Sequence, residues 1–495
     1  MDSEPPGLRI KPLFGDGDGD KIPDIELMEV RTLGIFAVWW DKRFDWESRA
    51  NFILKTLYRV REDCIKNLGM SDPKNVRLGF YFNVYIHDSD LYYSGSTKKD
   101  DLFPDKWYAM VKDNRMGLPY MTLPWQDTDG DLVRHEGFHV FQNEWYRKRT
   151  SQWNELSWYI EASASWYAAD RANQKESAAS YERVHFITAN PHLAIWHTEH
   201  NKKISDPDEK ELNQRQYALE CYLFFLCEVC NVPKNIITDI FKIKDKVNPA
   251  EYLFRKIGSH NLREFFTYWA ACNTDDFSYL SNAQKKFIDM QRWNSKKSVL
   301  NQLVFSWSSR NLKRGDSNEN IIFFPTEELV TRGWSYNVLE LKNDYGGKGK
   351  YEFKLEGDAF GSEGAPSYFS GRVLIKKNWS AYRERRGVTE HIPFIMSGGI
   401  EGRASIVADR GDLIYVIITS VPEYFTSNQT YNYRLTFSKK EIYIHYLLRP
   451  PPDLPPPPDL PPAPDLPPPP DLLLPLGLPP PLERPIALLL PDEDL

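Results

Sequence analysis

The chain has 495 residues, 41% of them hydrophobic and 26% charged, and a formal net charge of −7. That length exceeds one hydrophobic core and predicts two to three domains. The acidic balance without a dense basic run argues against a nucleic-acid partner, and the lack of any run of about 18 apolar residues argues against a membrane span. Aromatic residues make up 14%, with 15 Trp and 27 Tyr, a composition that predicts large aromatic cores. Of the five cysteines, Cys221, Cys227 and Cys230 share the apolar stretch ALECYLFFLCEVC, while Cys64 and Cys272 stand alone. An odd, sparse set is not a disulfide framework, and the single CxxC lacks a second pair, so buried thiols are expected. The N-terminal MDSEPPGLRI has no basic segment followed by an apolar core, so no signal peptide is predicted.

In chain order, GDGDGDKIPDIE at 15–26 comes first. It places Asp16, Asp18, Asp20 and Asp24 at loop positions one, three, five and nine. Alternate carboxylates on a Gly-rich loop suit calcium. Lys21 and Leu27 stand where an EF-hand needs Gly and Glu, so the pattern is not an EF-hand. It is similar to thrombospondin type 3 calcium repeats, which share D-x-D-x-D-x-x-P-D.

Residues 45–68 carry Ile53, Leu57, Val60 and Cys64 at helical spacing. RLGFYFNVYIH at 77–87 alternates and is aromatic and β-branched, which predicts a strand. GLPYMTLPW at 117–125 reads as a second strand, its prolines suiting an edge. Asp127, Asp129 and Asp131 offer a helix start. Helices are expected over 131–148 and 155–173, and residues 210–290 read as helical throughout. From about 300 to 445 the texture changes to short alternating runs, SYNVLEL, KYEFKL, GRVLIKK, DLIYVIIT and YNYRLTF, separated by Gly and polar turns. That predicts an antiparallel β-sandwich. From 449 onward a six-residue period close to PPPPDL cannot bury a core and predicts a disordered, polyproline-like tail.

DLVRHEGFHVFQ at 131–142 carries the chemistry. Four residues apart on one helix, His135 and His139 project from the same face and can reach one ion. Neutral imidazoles bind zinc at about 2.0–2.1 Å. Glu136 sits too far round the helix to join that coordination but can take a proton from water activated there. A catalytic zinc keeps three protein ligands and one open position. The leading candidate for the third is Glu161 in NELSWYIEASASWYA, 22 residues after His139, with the small residues Ala162, Ser163 and Ala164 beside it. Glu155, placed in a turn over 149–156, and Glu144, on the histidine helix, are the alternatives.

HEGFH followed by Trp158, Glu161 and Ala164 in a W-x-x-E-x-x-A-like helix resembles the gluzincin metallopeptidases. HEGFHVFQ with YIEASASW looks most like a family of secreted zincin-like proteins of unknown function. The resemblance implies an α+β zincin-like metallopeptidase domain with a helical lower half over 31–298. The calcium-type leader would span 1–30, the accessory β-sandwich 299–446 and the Pro-rich tail 447–495. It further implies zinc on His135, His139 and Glu161, Glu136 as general base, and a peptide substrate laid along the edge strand GLPYMTLPW. An oxyanion donor is also implied, for which Tyr217 is the first candidate. Gluzincins often place an Asp four residues after the third ligand, to support a histidine. Here Ser165 stands there, so that support is expected from elsewhere. The histidines of RVHFITANPHLAIWHTEH, His185, His192, His197 and His200, are expected in a solvated loop. The sandwich, with His391 and His445, offers no triad and is expected to be accessory. The alternative function is a non-catalytic zinc protein that binds glycans or proteins. The family points to secretion and the absent leader to the cytoplasm; sequons at Asn378 and Asn428 are compatible with secretion.

Overall fold

A computed structural model describes residues 27–87, 110–113, 118–125, 130–147, 153–171, 185–197, 215–243, 247–280, 321–325, 327–342, 349–377, 389–409, 411–425 and 429–441. The loop carrying Asp16, Asp18, Asp20 and Asp24, the sequons at Asn378 and Asn428, His200, His445 and the Pro-rich segment lie outside the described residues.

The first unit is a sheet with helices on it. Strand β1 (Met28–Leu33) turns back antiparallel into β2 (Phe36–Asp41) through Gly34, whose φ of 59° suits a residue without Cβ. Helix α1 (Glu47–Lys66) follows, then the short α2 (Lys74–Arg77), β3 (Phe82–His87), β4 (Met110–Asp113) and β5 (Pro119–Pro124). The sheet order is β1-β2-β3-β5-β4. β2, β3 and β5 are parallel, and the outer strands run against their neighbours. One face gives Phe36, Val38, Phe82, Val84, Ile86, Met121 and Leu123 to the main core; the other gives Ala37, Trp39, Tyr85 and Tyr120 to a smaller one. Both faces are covered, so β2, β3 and β5 are buried at every position.

This order corrects the edge expectation. β5 lies between β3 and β4, and β4 is the edge. Pro119 and Pro124 are its first and last residues, so the interior YMTL keeps every N–H it needs for two neighbours.

The stripe read in α1 is buried as expected, at Ile53, Leu57, Val60 and Cys64. It packs on α3 (Gly130–Arg147) at Gly137, where a Cβ would stand 2.9 Å from Leu57 Cδ2. α4 (Trp153–Arg171) packs along α3. Residues 156–160 and 162–168 of α4 are buried, and Glu161 is the one partly exposed position between them. The later helical segments include Glu220–Phe224, a π-helical turn at Phe225–Val229, Lys234–Asp239, Pro249–Ile257 and Ser259–Thr274. Cys64, Cys221, Cys227 and Cys272 are buried and all five thiols are free, as the composition suggested.

The second unit consists of two antiparallel sheets face to face. Its strands are β6 (Ile321–Phe323), β7 (Thr331–Arg332), β8 (Ser335–Lys342), β9 (Gly349–Gly357), β10 (Phe369–Lys376), β11 (Thr389–Pro393), β12 (Ile395–Ser397), β13 (Glu401–Ala408), β14 (Leu413–Ser420), β15 (Thr430–Tyr431) and β16 (Tyr433–Glu441). One sheet has the order β11-β10-β14-β8 and the other β12-β13-β9-β16-β6, while β7 and β15 pair as a separate two-stranded ribbon. β13 alternates exposed and buried along its whole length, because only one of its faces is covered. β14, LIYVIITS, is buried throughout. Its Ile414, Val416 and Ile418 fill the sandwich, while Leu413, Tyr415 and Ile417 join the core of the helical unit. Trp334 and Tyr336 join the same core, packed edge to face with Phe254, Phe266 and Trp269. The helices and the inner sheet therefore share one continuous apolar core. Among the described residues no helix is long and apolar enough to cross a membrane.

Candidate metal centre

α3 opens with Asp131 in its first turn, paired with Arg134. That acidic start suits the helix dipole. Helical spacing then aligns His135, His139 and Gln142 on the face that meets α4. α4 brings Glu161 to the same point. Nε2 of His135 and Nε2 of His139 lie 3.0 Å apart, and Glu161 Oε2 is 3.3 Å from each. Among the described residues these three form the one group of His, Cys, Asp or Glu atoms close enough to hold an ion. Glu144 lies on α3. Glu155 is already inside α4, which starts at Trp153, so it does not sit in the connecting turn as expected.

The imidazoles are oriented from behind. His139 Nδ1 meets Gln142 Oε1 at 2.7 Å, and His135 Nδ1 meets Ser165 Oγ at 3.2 Å. Ser165 thus takes up the place of the missing Asp itself, which corrects the expectation that support would come from elsewhere. Gln142 was not singled out in the sequence, and Ser163 was noted there only for its small size. Their spacing was the available signal: Gln142 is three residues after His139, and Ser163 is two after Glu161.

The electrostatics follow from burial and the pairing. Burial opposes the Glu161 carboxylate, but the His139 charge and hydrogen bonds from both imidazoles outweigh it and hold Glu161 well below the ordinary glutamate range. Burial opposes the His139 imidazolium, yet Glu161 beside it pushes His139 up to about 9. Glu136 is 6% exposed, and among the described residues it makes no ion pair. Burial first, and then the Glu161 charge, raise its carboxyl to about 7, against a lowering by His139. Its Oε2 is buried without a hydrogen-bond partner.

Tyr217 is partly buried, its ring centroid 6.1 Å from that of His135. Two residues before it, the buried Arg215 holds the preceding segment in place. Its guanidinium donates to the carbonyls of Phe186, Ile187, Asn190, Leu193 and Ala194. That segment is no solvated loop. Phe186, Ile187, Leu193, Ala194, Ile195 and Trp196 are buried, and β7 and β8 bond its backbone through Arg332 N to His192 O and Tyr336 N to Pro191 O. Burial and the guanidinium charges of Arg215 and Arg332 push His192 down to about 4 and His197 down to about 3. Neither histidine belongs to the metal cluster. In the sandwich, His391 faces Asp275 at 3.6 Å.

Neither the scan of protein-family models nor the search of curated proteins gives a match. Among solved structures, the chain is similar to a family GH115 4-O-methyl-alpha-glucuronidase with specificity for decorated arabinogalactans, at 11% identity and a TM-score of 0.15. The likeness covers 76% of this chain, which spans about half, 54%, of that protein's chain. A score of that size does not establish a shared fold.

Proposed function

We propose that the chain is a zinc-dependent peptidase of the gluzincin type, a zincin-like unit with the β-sandwich as its accessory. The observation that carries this reading is the donor triangle. A tetrahedral ion with bonds of about 2.0–2.1 Å sets its ligand atoms about 3.3 Å apart. The three edges here are 3.0, 3.3 and 3.3 Å. Two imidazoles and one carboxylate also match the donor set of a catalytic zinc with its fourth position open. When bound, zinc would polarise a carbonyl and acidify a water.

The chain's own residues account for the rest. Glu136, a buried carboxyl raised toward neutrality, would take a proton from the attacking water and pass it to the leaving amine. Tyr217 would donate a hydrogen bond to the oxyanion. α3 packs against both β5 and the edge strand β4. An extended peptide would add to β4 through main-chain hydrogen bonds.

The test is Glu136→Gln, followed by metal analysis and by digestion of a broad peptide library. Wild type is expected to hold about one zinc per chain and to hydrolyse peptides. The variant should keep the zinc and lose activity by about 10²–10⁴-fold. A wild-type protein that binds no zinc refutes the reading. Zinc without turnover by the wild type favours the non-catalytic alternative.

A further inference from the structure

The hydrogen bonds behind His139 have only one consistent direction. The carbonyl oxygens of Tyr159 and Ile160 can only accept. Ser163 Oγ lies 2.5 Å from Tyr159 O, so its single proton goes there and its lone pairs face outward. The Gln142 amide presents one end to Ser163 Oγ at 2.9 Å and to Ile160 O at 3.4 Å, both acceptors. That end must be the NH₂. The other end is therefore the carbonyl oxygen, and it stands 2.7 Å from His139 Nδ1. An amide oxygen cannot donate, so His139 must carry its proton on Nδ1.

We infer that Gln142, locked by Ser163, is a positioning residue that fixes His139 as the Nδ1–H tautomer and turns its Nε2 lone pair toward His135 and Glu161. The device uses a neutral amide where such sites commonly use a carboxylate. Gln142 is fully buried, so a misdirected tautomer would leave a lone pair facing the amide oxygen. Ser163 lies on α4, two residues from Glu161, so the relay also ties the helix of the histidines to the helix of the carboxylate.

The importance of this tautomer for metal binding rests on the zinc reading; the tautomer itself does not. The test therefore has two measurements. In the metal-free protein at a pH above the raised value of His139, where its imidazole is neutral, ¹⁵N NMR of the wild type should show His139 protonated on Nδ1. Gln142→Met, which keeps length and removes the acceptor, should admit the Nε2–H form. Separately, zinc affinity measured against a competing chelator should fall by about 10–100-fold in Gln142→Met and in the milder Ser163→Ala. An Nε2–H tautomer in the wild type overturns the inference. So does an unchanged affinity in both variants when the wild type binds zinc. If zinc fails to bind while the Nδ1–H tautomer is found, the tautomer assignment stands and the zinc reading falls.

Discussion

Glu161 Oε2 stands 3.3 Å from His139 Nε2 across the contact of α3 and α4, and it is the one carboxylate of the cluster. Changing it to Ala would leave two neutral imidazoles to hold a divalent cation. The loss should exceed the roughly 10–100-fold in affinity that follows from disturbing a supporting residue. Glu155 is six residues earlier on the same helix, about 240° round its axis. Glu155→Ala should leave affinity nearly unchanged. Titration of both variants with a competing chelator decides this; loss in Glu155→Ala with retention in Glu161→Ala would reverse the assignment.

Tyr217 is placed beside His135 but outside the donor triangle. If it holds the oxyanion, Tyr217→Phe should lower kcat by about 10²–10³-fold and leave KM and zinc content close to wild type. A rise in KM at constant kcat would instead make Tyr217 a substrate-binding residue.

Trp334 sits in the sandwich, yet it packs on Phe254 and Phe266 of the helical unit, with ring centroids 6.0 and 5.5 Å away. Trp334→Ala should cost about 3–5 kcal/mol and lower the melting temperature of both units together. Two separated unfolding transitions, with only the sandwich affected, would contradict the shared core. The same coupling bears on truncation near residue 300, which would strip Trp334, Tyr336, Tyr415 and Ile417 from that core.

Asp275, at the end of the helix Ser259–Thr274, faces Lys376 Nζ at 3.3 Å, His391 Nε2 at 3.6 Å and the Thr389 hydroxyl at 3.0 Å. Burial raises its carboxyl, but His391, Lys376 and Thr389 outweigh burial and hold it below the ordinary value. A depressed folded pKa stabilises the fold above the unfolded value of about 3.9 and ceases to do so as pH falls through the folded one. Asp275→Asn should therefore be less stable than wild type at neutral pH. The difference should close in acid, as followed by urea unfolding across pH. A gap that is constant with pH would rule out the charge as its source.

The sequence by itself determined what local periodicity and residue chemistry determine. The i, i+4 histidines with Glu136 between them, the buried stripe of α1, the helix bearing Glu161 and the change to alternating strands after residue 300 follow from periods of 3.6 and 2. Only the tertiary structure decided the rest, because it depends on neighbours distant in sequence. β5 reads as an edge strand from its prolines, but β4 takes the edge once the sheet is assembled. The run LIYVIITS does not alternate because helices cover its second face. The residues 185–197 read as solvated from their histidines and turn residues, yet Arg215 and the strands β7 and β8 bury them. Ser165 reads as a missing aspartate until the helices meet and its hydroxyl reaches His135. The proton direction along Tyr159, Ser163, Gln142 and His139 is not encoded in any one segment. It exists only because α3 and α4 pack closely enough to join donors and acceptors from both into a single chain.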